Sequence, residues 1–245
     1  ICLQGTNSGV HLSWGEVRLP ADIERVARGS ANALQAAARG YAAVAVEQAC
    51  FGERRERHIA KPSPDPCIDA AGHALLLGRT LIGERTGDIS AVVNWLESGA
   101  HGIALDLSRL HIMGSSSGGS TALFSAALDN RISAALVGGA VGFIRETIAR
   151  RADTSGQNTI PGILNWLETD DIVALVAPRP ILLFAGKKDH IWPYAGAEAV
   201  AKSARAVYHA LGASENIATA PAEDGHSYHP NVAWPAFEKL LKNCV

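Results

Sequence analysis

The stretch "LHIMGSSSGGSTALFSAAL", Leu110 to Leu128, runs from a short apolar segment through a cluster of glycines and serines into a run of helical period. A strand that ends in Gly, turns through small residues and enters a helix is the local pattern of a nucleophile elbow. Small side chains let the chain turn sharply and lift one residue above a sheet. Two registers of Gly-x-Ser-x-Gly fit. Gly114 to Gly118 is centred on Ser116, and relaxing the first glycine to a small residue gives Ser115 to Gly119, centred on Ser117. Gly114 directly ends the apolar run and Ser117 to Ser120 open the helix, so context favours Ser116. In that register the backbone N–H of Ser117, at the positive helix end, is an oxyanion donor. The same letters also suit a Gly/Ser turn that only caps a helix, so partners have to decide.

A serine nucleophile needs a base within hydrogen-bond reach and an acid to orient that base, and a fold with such an elbow supplies them in the chain order Ser, Asp/Glu, His. Asp189 follows the apolar run "ILLFAG" by three residues, and His226 lies in "PAEDGHSYHP" after "NIATA". Both positions are loops after predicted strands. Asp170 and Asp171 fall at a helix start, where Asp is usually a cap. His190 adjoins the acid on its own loop, and His229 precedes Pro230 at the opening of the last helix. Asp224, His226 and His229 could instead ligate a metal; no other His or carboxylate cluster supports that reading, and no metal is expected.

Working outward, short aliphatic runs alternate with stretches of helical period, which predicts an α/β fold with a mostly parallel sheet covered by helices on both faces. Predicted strands are "ICL" at the start, Ala42 to Glu47, Leu110 to Gly114, Ser133 to Gly139, Ile181 to Gly186 and Asn216 to Pro221. Predicted helices are Asp22 to Ala38, Asp88 to Glu97 with Asp88 as cap, Ser117 to Leu128, Ala195 to Leu211 and Trp234 to Leu241. Residues 51–87 break the rhythm with "GERRERHIAKPSPDPC" before "AAGHALLLGRTL". An insertion of that length is either a cover for the substrate or a surface embellishment.

The chain has 245 residues, 47% of them apolar, which suits one globular domain with a large core. A formal charge of −2 with mixed signs offers no basic footprint for nucleic acid. Cys2, Cys50, Cys67 and Cys244 are too scattered for a disulfide framework. The longest apolar stretch, Ala134 to Ile144, is well short of the roughly 18 residues that span a bilayer, so a soluble protein and no membrane partner are expected. The opening "ICLQG" has neither Met nor the features of a leader, and reads as trimmed; localisation stays open. "AGKKD" lacks the first glycine of a phosphate loop, Ile181 standing in its place, and neither "GSSSGG" nor "GGAVGF" forms a dinucleotide fingerprint. No cofactor is implied.

With Ser116, Asp189 and His226 in this order, the chain resembles the α/β-hydrolase superfamily, in its dienelactone hydrolase-like and acetyl xylan esterase-like branch. The segments that carry the resemblance are "FGERRE" (51–56), "LLLGRTLIGERTGDISAVVNWL" (75–96), Gly114 to Val137, Ile160 to Pro193 and "VYHALGASENI" (207–217). The resemblance implies a serine esterase that works through an acyl-enzyme on a small-molecule or carbohydrate ester, with Ser116 as nucleophile, His226 as base and Asp189 as its orienting acid. It also implies a second oxyanion donor after the first strand. Relatives carry His-Gly there and this chain has Gln4-Gly5-Thr6, which gives the role to the N–H of Thr6. Dienelactone hydrolases proper use Cys at the elbow, where this chain has Ser. The family usually has strands before the one at Ile1, so an amino-terminal edge is expected to be missing. Trp14 and Trp192 are candidate pocket walls, with ordinary packing as the alternative. "ERRER" (53–57) suits an acidic substrate or a self-paired surface. A peptidase or thioesterase with the same triad, and a silent hydrolase fold used for binding, remain alternatives.

Overall fold

A computed structural model of the chain describes residues 1–6, 8–150 and 155–243. Six strands form one all-parallel sheet: β1 (Cys2–Leu3), β2 (Ala45–Val46), β3 (His111–Ser115), β4 (Ala134–Gly138), β5 (Ile181–Gly186) and β6 (Ile217–Ala222). Their order across the sheet is β2-β1-β3-β4-β5-β6. Register is continuous, with Met113 opposite Leu136 and Leu136 opposite Leu182. The helices between them are α1 (Pro20–Ala27), α2 (Asn32–Ala37), α3 (Pro66–Leu76), α4 (Leu81–Glu97), α5 (Ser117–Leu128), α6 (Thr169–Ala174), α7 (Tyr194–Ala210) and α8 (Pro230–Asn243).

Strand side chains alternate between two cores, because successive residues point to opposite faces of a sheet. Ile112, Val137, Ile181 and Leu183 pack with α4, α5, α6 and α7 through Ile89, Leu123, Ile172 and Val200. Met113, Leu136, Leu182 and Phe184 pack on the other face with α2 and α8 through Ala36 and Phe237. With both faces covered, the central strands can be apolar at every position, which is why β4 and β5 read as unbroken aliphatic runs. Every strand was predicted within a few residues.

The helices depart from the predicted boundaries in three places. Asp22 to Ala38 is two helices, broken where Gly29 adopts φ of +92°. Asp88 is no cap: α4 begins seven residues earlier, where the Thr80 hydroxyl accepts the Gly83 N–H at 3.1 Å, and Asp88 lies mid-helix, paired to Arg54 at 2.5 Å. The last helix begins at Pro230, ahead of the predicted Trp234, and accommodates Pro235 within its first turns. Residues 51–87 are largely structured, their latter half forming α3 and the start of α4. Cys244 lies outside the described residues, and no described helix is long and apolar enough to cross a membrane.

In an all-parallel sheet every strand ends on the same edge, so the loops after β1, β3, β5 and β6 converge there. Those loops carry Thr6, Ser116, Asp189 and His226.

Candidate active site

Ser116 sits between β3 and α5 with φ of +56° and ψ of −123°, a conformation that L-residues rarely adopt. Such strain costs roughly 1–3 kcal/mol and persists only where surroundings enforce it. Here the Ser116 N–H donates to Gly138 O at 2.8 Å, and its carbonyl receives the Ser120 N–H at 3.0 Å. The glycine two residues back is equally constrained, because a Cβ on Gly114 would stand 2.2 Å from Gly118 O. Ser117 is already the first residue of α5. The turn is therefore built in the register centred on Ser116, and the relaxed register is not formed.

The structure brings the three predicted side chains together. His226 Nε2 lies 3.0 Å from Ser116 Oγ, and its Nδ1 lies 2.7 Å from Asp189 Oδ2. Asp189 is buried, and its other oxygen accepts the N–H groups of Ile191 and Trp192, both at 2.8 Å. Burial by itself would raise the pKa of this carboxyl; the hydrogen bond from His226 and those from Trp192 and Ile191 outweigh it and hold the group below its usual range. A carboxylate fixed at both oxygens stays ionised and holds the imidazole with Nε2 toward the serine.

The two residues expected to offer oxyanion donors, Ser117 and Thr6, line the same space. Ser117 opens α5, so its N–H belongs to the first turn, which has no acceptor within the helix. Thr6 follows β1 in a loop that packs closely on the elbow: a Cβ on Gly5 would stand 3.1 Å from Ser115 O. Both residues line a cavity of about 530 Å³ that also holds Ser116 and His226.

Several residues that sequence reasoning overlooked hold this arrangement. The Glu47 carboxylate, just after β2, accepts the Val10 N–H at 3.0 Å and the Gln4 side-chain amide at 2.5 Å, bracketing Thr6. Gln48 donates to Gln4 O and accepts the Thr121 hydroxyl, linking the same loop to α5. Arg85 of α4, 1% exposed, donates to Ser117 Oγ at 2.7 Å and to Gln157 Oε1 at 3.1 Å. A signal for Arg85 did exist: it occupies the core-facing stripe Ile82, Arg85, Ile89, Val93, Leu96, where an unpaired charge is expensive and a polar function is expected.

The cavity wall is polar, with Arg25, Arg28, Glu24, Gln157 and Asn158 among its residues, and Asp65 reaches it from the 51–87 insertion. Trp192 lines it; Trp14 is not among the described residues that do. Trp14 is 40% exposed and donates instead to Glu16 at 2.8 Å, at the end of a short 3-10 turn, Val10–Trp14, that buries His11, Leu12 and Ser13. The charges of "ERRER" lie at the surface and pair outside the run rather than with one another, Arg54 with Asp88 and Glu56 with His73.

The rivals are engaged elsewhere. Asp171 accepts the Glu168 N–H at the start of α6, and Asp170 accepts the Ser203 hydroxyl. His190 is exposed, and His229 donates to Gly225 O at 3.0 Å. Among the described residues no three His, Cys, Asp or Glu converge as a metal site. A second Ser-His-Asp group, Ser8, His11 and Asp22, is no relay: the hydroxyl and the carboxylate both meet His11 at Nε2. Asp22 also receives the N–H groups of Arg18 and Leu19. It is a buried cap for α1.

A family model described as the Abhydrolase family matches residues 1–202. The chain belongs to the Abhydrolase family. The match takes in the elbow and Asp189 and ends within α7, ahead of His226. Among curated relatives of this Abhydrolase chain is "Putative hydrolase YtaP" of Bacillus subtilis, 27% identical over 198 residues, covering 76% of this chain and 60% of the relative. A Bacteroides fragilis structure described as a putative acetyl xylan esterase superposes with a TM-score of 0.71 at 22% identity, over 91% of this chain and 58% of the other. A promiscuous CE15 esterase from a marine bacterial metagenome gives 0.67 at 17%, over 100% and 74%. At these identities the structures show the shared α/β-hydrolase fold. The chain spans about three fifths of the first two proteins.

Proposed function

We propose that the chain is a serine carboxylic-ester hydrolase acting through an acyl-enzyme on short-acyl esters of small polar alcohols, acetylated carbohydrate above all. The observation that carries this reading is the His226 imidazole bridging Ser116 at 3.0 Å and buried Asp189 at 2.7 Å. His226 Nε2 takes the hydroxyl proton as Ser116 Oγ attacks the ester carbonyl, and Asp189 stabilises the imidazolium that forms. The carbonyl oxygen gains charge within reach of the Ser117 and Thr6 N–H groups. Each such donor is worth on the order of 3 kcal/mol in the transition state. The imidazolium then gives its proton to the leaving alkoxide, and the free alcohol departs. Water, deprotonated by the same nitrogen, attacks the acyl-Ser116 carbonyl; the bond to Oγ breaks, Oγ takes the proton back from His226, and the carboxylic acid departs.

The substrate assignment rests on the cavity. Its volume of about 530 Å³ suits a sugar-sized alcohol, and hydrogen-bonding side chains dominate its wall. The likeness to a structure described as a putative acetyl xylan esterase supports it. The test is hydrolysis of p-nitrophenyl acetate and of a panel of acetylated sugars by the wild type and Ser116→Ala. The expected result is turnover by the wild type, with preference for acetyl over long acyl chains, and a loss of about 10⁴-fold or more in the variant. Full activity in Ser116→Ala would overturn the reading.

A further inference from the structure

Behind the elbow lies a cluster that the proposed chemistry does not use. Cys50 and Cys67, 17 positions apart, are 3% and 0% exposed, with their sulfurs 3.4 Å apart. Arg85 Nη2 reaches both, at 3.1 Å from Cys50 Sγ and 3.4 Å from Cys67 Sγ. Cys50 has φ of +72°, a strained conformation for any residue but glycine. Cys67 lies in the first turn of α3, two residues after Asp65, which lines the cavity and caps that helix. Its sulfur is 3.7 Å from Gln157 Oε1, and Gln157 is itself a cavity residue. The pair therefore stands one side chain behind the cavity wall, at the two ends of the loop that brings Asp65 to it.

We propose that Cys50 and Cys67 are a reversible dithiol–disulfide pair, closed by hydroperoxides and opened by thiols, whose closed form staples the 51–66 loop to the site. To bond, the sulfurs need to approach by about 1.4 Å, within the reach of rotamer adjustment. The Cys67 S–H donating to Cys50 and the Arg85 charge beside it favour the Cys50 thiolate over its ordinary state, against the opposing effect of burial; Cys67 is held protonated by the same hydrogen bond and by burial. Cys50 is thus the attacking sulfur and Cys67 the resolving one.

The step balances as follows. The Cys50 thiolate attacks one peroxide oxygen, the O–O bond breaks, and the sulfenic acid and a hydroxide form. The hydroxide takes the Cys67 proton and becomes water. The Cys67 thiolate then attacks Cys50 Sγ, the S–O bond breaks, and the departing hydroxide takes up the proton that Cys50 first released. Two thiols and one hydrogen peroxide give one disulfide and two waters. A thiol reductant reverses the sulfur chemistry by exchange.

The test uses the wild-type chain treated with a slight excess of hydrogen peroxide, alkylated after denaturation and digested with trypsin without reduction. Arg54, Arg55 and Arg57 place cleavage sites between the two cysteines. The expected product joins the Cys50 and Cys67 peptides and separates on addition of dithiothreitol. Closing a loop of this length raises the thermal midpoint of the oxidised protein by about 5 °C over the reduced, and Cys67→Ala and Cys50→Ser show no peroxide-dependent shift. Recovery of both cysteines as free thiols, their oxidation without a link, or a link to Cys2 or Cys244 instead would overturn the pairing. A link with no change in midpoint would overturn the staple.

Discussion

The Glu47 carboxylate accepts the Val10 N–H at 3.0 Å, fixing the far side of the loop on which Thr6 sits. The same group holds the Gln4 side chain on the near side. Glu47→Ala frees both anchors and lets the Thr6 N–H drift from the position that the developing oxyanion would occupy. The expected outcome is a fall in kcat of about 10- to 100-fold for p-nitrophenyl acetate, with KM little changed. Steady-state kinetics check it, and an unchanged kcat would remove Thr6 from the proposed oxyanion site.

Gly139, the residue after β4, packs on Asp189 and His226. It has φ of +49°, and a Cβ there would stand 3.3 Å from His226 Cε1 and 3.4 Å from Asp189 Oδ2. Gly139→Ala therefore adds backbone strain of about 1 kcal/mol and pushes on the imidazole. The expected result is a loss of about tenfold in kcat that exceeds what the lowered thermal midpoint explains, read by kinetics at a temperature where the variant is fully folded.

Asp22 titrates well below its ordinary range. Its burial opposes ionisation, and the hydrogen bonds from Ser8, His11, Leu19 and Arg18 more than offset that opposition. A carboxyl whose folded pKa is depressed contributes stability that is present above the unfolded value, near 4, and is lost as pH falls through the folded value. Wild-type unfolding midpoints should thus fall as pH drops below about 4. Asp22→Asn should be less stable at pH 7 by about 1–3 kcal/mol and show a shallower acid decline. Denaturant titrations across pH 2–7 test both.

Asp65→Asn keeps an acceptor for the α3 cap while removing a charge from the cavity wall. If the 51–87 insertion contributes to binding of the sugar, KM for acetylated sugars changes severalfold while p-nitrophenyl acetate, which has no sugar hydroxyls to bind, is hydrolysed as before. Equal kinetics on both substrates would make the insertion a surface feature.

Much of the fold was legible in the sequence because a doubly covered parallel sheet leaves aliphatic runs such as "ILLFAG" that cannot be mistaken for amphipathic helix. The candidate triad was legible because each of its members follows such a run. The break at Gly29 was not, since the apolar spacing of Ile23, Val26, Ala33 and Ala37 continues across it. Asp88 resembled a cap because Asp usually is one, whereas the true cap, Thr80, precedes a glycine-containing turn. Trp14 was placed near the pocket from proximity along the chain, whereas the short turn that buries Leu12 leaves Trp14 at the surface. Glu47, Gln48 and Arg85 act across 30 to 70 residues of chain, and contacts of that range leave no local period; only the charge in the apolar stripe of α4 marked Arg85.

The central claim is that Ser116, and not its neighbours in the serine run, is the nucleophile activated by His226. A fluorophosphonate probe followed by peptide mapping tests it most directly. The account predicts stoichiometric labelling at Ser116, abolished in Ser116→Ala and strongly slowed in His226→Ala. Labelling at Ser115 or Ser117, or none in the folded wild type, would contradict it.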